Sequence, residues 1–177
     1  MLRSAVHAIL QRELAAVRRS VEAYPDDASV WALRPGLPNS GGNLVLHIAG
    51  NLQHYLGAIM GGTGYRRDRD AEFASRDVPR DALLAEIDRA SVAIDRGLAD
   101  GADGPDADEA LARTYPERIA GREVATGDFL VHLSAHLAYH LGQLDYHRRA
   151  VTGARDGVGA IAPAELPVRA SAAVRRA

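Results

Sequence analysis

The chain has 177 residues, 47% of them apolar, which is enough for one domain with a sizeable core and too apolar for wholesale disorder. Its 21 basic residues, all arginine, nearly balance 23 acidic ones for a formal charge of −2, which argues against a dedicated nucleic-acid binder. Cysteine and lysine are both absent. Disulfides, thiolate ligands, a cysteine nucleophile and Schiff-base chemistry are therefore excluded, and any metal must be held by His, Asp, Glu or water.

Residues 2–23 read as a first helix, with Leu2, Val6, Ile9, Leu10, Leu14, Val17 and Val21 as an apolar stripe and Pro25 ending it. His7 lies near the stripe and reads as a packed or surface residue. The N-terminus has no apolar signal core and no run approaches membrane-spanning length, so a cytoplasmic protein without a membrane partner is expected. Residues 25–42 form a loop rich in Pro, Gly and Asn, in which Trp31 plugs one end of the core or lines a pocket. Asn39 or Ser40 then caps a second helix over 43–60. Leu44, Ile48, Leu52, Tyr55 and Ile59 give its stripe, and His47, Asn51 and His54 form a polar line beside it. That line has apolar flanks that suit an interior, and burying three unpaired polar groups would cost about 1–3 kcal/mol each.

Gly61 caps this helix, and a long charged connection over 61–79 suits a crossover along the length of a bundle. A third helix is predicted over 81–99, and residues 111–126 read as a short hairpin or an extended segment. The fourth helix is predicted to start at a cap on Thr126 or Asp128 and to run to about Val151. It carries four of the seven histidines. His132, His136 and His140 stand four apart and form a ladder on one face, and any adjacent two could grip a zinc or nickel ion. His47 on the second helix is the candidate for the third ligand. Residues 1–152 make the domain, and the tail 153–177 carries so little large apolar surface that it is expected to be mobile.

Two segments carry a family resemblance. His136-Leu-Ala-Tyr-His140-Leu-Gly-Gln143 resembles the final-helix signature of the DinB-like (DinB/YfiT-type) superfamily, and Asn43-Leu-Val-Leu-His47-Ile-Ala-Gly-Asn51-Leu resembles its second-helix histidine segment. Tyr65–Phe73 and Ile119–Glu123 resemble connections in a poorly characterised branch without an assigned activity. The likeness spans roughly residues 5–150. It implies an all-α fold, a four-helix bundle in up-down-down-up order with a long connection between helices 2 and 3. It also implies a divalent metal, zinc or nickel, held by His47, His136 and His140, with His132 as a competing ligand. The best-understood members transfer low-molecular-weight thiols to electrophiles or isomerise a thiol adduct.

Three neutral imidazoles leave an open coordination position, where a bound thiol or water would lose its proton more easily. Asn51, Tyr139 and Gln143 are candidates to orient ligands or substrate, and His54 and Asp145 are weak candidates for a general base. The expected function is therefore metal-dependent transfer or activation of a small thiol, S-transferase-like and serving detoxification or stress. The alternatives are a non-catalytic metal-binding bundle and a metal-dependent hydrolase. A small-molecule substrate and a homodimer are expected.

Overall fold

A computed structural model describes residues 2–98 and 107–159 and is all-α, with no strand among the described residues. In α1 (Leu2–Glu22) the stripe Val6, Leu10, Leu14, Val17 and Val21 is wholly buried. Each such side chain contributes about 1.5–3 kcal/mol on leaving water. The loop that follows holds a short helix, α2 (Asp27–Trp31), whose N-cap Asp26 accepts from the Ser29 backbone N–H at 2.7 Å. Trp31 is buried and donates from Nε1 to the Val78 carbonyl at 3.0 Å. Its ring occupies the space where a Cβ at residue 42 would stand, so only glycine fits there.

The second long rod begins as α3 (Gly41–Leu52), capped by Ser40 Oγ, which accepts from the Asn43 N–H at 3.2 Å. From Gln53 to Met60 it continues as a π-helix and closes with the Gly61 N–H on the Leu56 carbonyl at 2.9 Å. The crossover is ordered. It holds α4 (Arg69–Ala74), capped by Asp68, before α5 (Arg80–Leu98). After α6 (Ala107–Ala112), residues 113–126 form a hairpin-like turn, with Tyr115 N–H on the Val124 carbonyl and reciprocal bonds between Ile119 and Arg122. Ala120 and Gly121 both take positive φ, as the tightest hairpin turns require.

The last helix, α7 (Thr126–Thr152), spans about 40 Å at 1.5 Å per residue. Its start corrects the expected cap. The N-cap is Ala125, and Thr126 Oγ1 instead donates to the Arg113 carbonyl at 2.9 Å, tying the helix to the hairpin. Asp128 lies in the first turn, where a carboxylate suits the helix dipole. Gly153, at φ 74°, terminates it.

Among the described residues the long helices α1, α3 with its π-helical continuation, α5 and α7 all contribute to one core. The start of α1 meets the end of α5, with Arg3 Nη2 donating to the Gly97 carbonyl at 2.7 Å, and its other end reaches Leu84 through Arg18 at 3.3 Å. Tyr24, just past α1, donates to His147 Nδ1 near the end of α7 at 2.6 Å. Tyr55 in the π-helical segment packs its ring 5.0 Å from Phe129 at the start of α7. Past Gly153 the chain stays against the rods. Val158 packs on the core, its carbonyl accepts from Arg19 Nε at 2.9 Å, and the Asp156 carbonyl accepts from Arg148 Nη2 at 2.6 Å. The rest of the expected mobile tail, 160–177, lies outside the described residues.

Candidate metal centre

Because α3 and α7 pack side by side, the polar line of one meets the histidine ladder of the other. Among the described residues, His47, His136 and His140 are brought together, with one nitrogen from each within 4.8 Å of the others. Nε2 of His136 lies 3.1 Å from Nε2 of His140 and 3.4 Å from Nε2 of His47. His47 is buried and the other two are half-buried.

The far nitrogens fix the tautomers. His47 Nδ1 donates to Glu72 Oε2 at 2.9 Å, and His140 Nδ1 donates to Gln143 Oε1 at 2.7 Å. Both rings therefore aim an unprotonated Nε2 at His136. His136 Nε2 can donate one proton to one of them, and the other contact then sets two lone pairs face to face. A cation among the three nitrogens removes that conflict. Hydrogen bonding of a ligand's outer N–H to a carboxylate or amide is also the usual support of a metal-bound histidine. The residues present fit a divalent metal.

Charge points the same way. Burial and the neighbouring His140, His47, His132 and Arg67 lower the pKa of His136 to about 4. Burial also lowers His140, although its bond to Gln143 opposes the shift. Both imidazoles are thus neutral near pH 7, the form that can ligate. Burial pushes the Glu72 carboxyl up, but hydrogen bonds from His47 and Arg67 outweigh it and hold it below its ordinary value. Arg67 grips this carboxylate in a fork, Nε to Oε1 at 2.7 Å and Nη2 to Oε2 at 2.9 Å. Residue 50 must be glycine for the carboxylate to reach His47, since a Cβ there would collide with Glu72 Oε1.

The other sequence candidates fall at graded distances from the cluster. Gln143 is the partner of His140. Tyr139 is exposed and sets its ring 5.2 Å from that of His140. His132 is exposed, stacks on Phe129, and stands outside the three-nitrogen group, its ring 6.0 Å from that of His136. Asn51 is buried one turn beyond His47. His54 is paired with Glu117 at 3.0 Å and Asp145 with Arg148 at 2.8 Å, so neither weak base candidate is free. Glu72 and Arg67 were not singled out in the sequence. Phe73 was the available signal: it is the one large apolar side chain in the charged run 66–73, and it anchors that run with its ring 4.9 Å from His47.

Comparison with protein-family models matches residues 5–153 to Mycothiol-S-transferase. The chain belongs to the mycothiol-S-transferase family. That family lies within the DinB/YfiT-like superfamily, so the resemblance carried by the two histidine segments is shown. The match is to a family named for thiol transfer. No curated protein and no solved structure matched the chain. Among the described residues no helix is long and apolar enough to cross a membrane.

Proposed function

We propose that this protein is a metal-dependent S-transferase that joins a low-molecular-weight thiol, mycothiol by family, to a small electrophile. The observation that carries the reading is the convergence of three Nε2 atoms, with the outer Nδ1 protons of His47 and His140 already committed to Glu72 and Gln143. The helix pairings described above support the up-down-down-up four-helix bundle in which such a site joins the second and fourth long helices.

His47, His136 and His140 would hold zinc or nickel. Such an ion supplies a Lewis acid that makes a thiol more acidic near neutral pH. The chain's own residues do the rest. Glu72 and Gln143 keep the two imidazoles in the ligating tautomer and orientation. Arg67 balances the Glu72 charge, so the carboxylate does not draw a proton from solvent. In the transfer a carbon–sulfur bond forms as the leaving group departs with its electron pair, and the thiol proton goes to solvent. A homodimer in the cytoplasm is part of this reading.

The test is turnover of mycothiol with monochlorobimane after reconstitution with zinc or nickel, for wild type and His136→Ala. Metal- and thiol-dependent turnover that His136→Ala lacks is expected. Equal rates for the two proteins with every thiol tried would remove the transferase reading and leave a non-catalytic metal-binding bundle.

A further inference from the structure

A cavity of about 370 Å³ opens beside the histidine cluster, between the start of α3 and the second half of α7. That volume falls in the range of small-molecule sites, about 300–1,000 Å³. Its α7 wall is Tyr139, Gly142, Gln143 and Tyr146, spaced as one face of a helix, and Leu37 and Leu44 stand opposite. No arginine, aspartate or glutamate lines it.

Three features give this cavity a role. Gly142 sits within a 27-residue helix, where glycine is less favourable than alanine. Its φ is not positive, and a Cβ there would meet nothing within 4 Å. Neither backbone conformation nor close packing accounts for the glycine. Its effect is to leave an open floor between two tyrosines. Those tyrosines, Tyr139 and Tyr146, are 64% and 69% exposed, and aromatic faces held in water are surface that a flat ligand could cover. Finally, Gln143 both lines the cavity and holds His140, so the cavity and the metal centre share a wall.

We infer that this cavity is the acceptor subsite, binding the electrophile as a small flat apolar or aromatic molecule between Tyr139 and Tyr146 over Gly142. This rests on the transferase reading of the neighbouring cluster. Asn39, the Gln143 amide and the two tyrosine hydroxyls are the hydrogen-bonding groups of the lining, since His147 is committed to Tyr24 and Ala32, and the uncharged, mostly apolar surface between them suits a flat acceptor. With monochlorobimane in the cavity, the thiol sulfur attacks the chloromethyl carbon. The carbon–sulfur bond forms, the carbon–chlorine bond breaks, and chloride leaves with the electron pair.

Gly142→Leu fills the floor, and Tyr146→Ala, at an exposed position, removes a wall without touching the core. Two readouts are taken on metal-reconstituted full-length protein. One is the KM for monochlorobimane and for mycothiol. The other is direct binding of the dechlorinated bimane, which cannot react, in the absence of thiol. Both variants should raise the KM for monochlorobimane and weaken dechlorinated bimane binding at least 10-fold, with the KM for mycothiol and the metal content unchanged. Turnover with unchanged acceptor KM and unchanged probe binding overturns the subsite while leaving the transferase intact. Probe binding lost in both variants, with no turnover in wild type, keeps the cavity as an aromatic-ligand site and removes the transferase. A changed oligomeric state in Gly142→Leu with unaltered probe affinity makes the face a contact between copies and overturns the proposal.

Discussion

Glu72 accepts the Nδ1 proton of His47 at 2.9 Å by passing directly over Gly50, one turn from the histidine on the same rod. A carboxylate from the crossover thus sets the tautomer of a residue in the core. Replacing Glu72 with Gln, or Gly50 with Ala, should lower metal affinity about 10–100-fold, the usual effect of losing a ligand's hydrogen-bond partner. Competition with a chromophoric chelator measures it. If Gly50→Ala binds metal as wild type does, Glu72 does not orient His47.

His140→Ala should abolish stoichiometric metal in purified protein, because two histidines do not make a stable site. His132→Ala should retain it, since His132 is exposed and stands apart from the three converging nitrogens. Elemental analysis decides, and the reverse pattern would replace His140 by His132 in the ligand set.

Acid should destabilise the metal-free protein. His136, His140 and His147 all have pKa values lowered chiefly by burial, His136 to about 4. The unfolded chain, with ordinary histidines near 6.5, binds more protons than the folded one over that interval. The contribution is therefore complete above about pH 6.5 and is lost as pH falls toward the folded values. Thermal midpoints in the presence of a chelator should fall steadily from pH 7 to pH 4.5. A flat profile across that range would contradict the assignment.

Truncation after residue 152 should lower stability relative to truncation after 159, by about 1–3 kcal/mol, because it removes the packed Val158 and the carbonyl that Arg148 uses. Urea denaturation of the two shortened proteins compares them. Equal midpoints would mean that 153–159 do not support the core.

Much of this was legible because two periods dominate the chain. The stripe of α1 and the four-residue ladder of α7 each dictate one helical face, so those two helices follow from spacing, whereas the grouping of His47 with His136 and His140 in preference to His132 was implied by the family resemblance. What was not legible depends on contacts between distant segments. The charged run 66–72 reads only as part of a long crossover because nothing local shows that Glu72 will find a glycine gap opposite it. The π-helical turn from Gln53 keeps an apolar pattern that suits an α-helix equally well; its geometry goes with close seating on α5, where a Cβ on Gly57 would stand 2.9 Å from that of Ala93. The start of α7 fell at Ala125 with Thr126 inside the helix, its N–H and its hydroxyl both donating to the Arg113 carbonyl of the hairpin, a long-range pairing no local helix rule anticipates.

His136, His140, Gln143 and the cavity wall at Tyr139, Gly142 and Tyr146 all belong to one uninterrupted helix. Their separations are therefore set by a rigid ruler of about 1.5 Å per residue, and one inserted residue would swing everything beyond it by about 100°. Relatives that handle different acceptors cannot adjust this region by lengthening or shortening the chain, as loop-built sites do. Diversification here must proceed by exchange of side chains at fixed positions, and a family alignment should show α7 free of gaps while positions 139, 142 and 146 vary together.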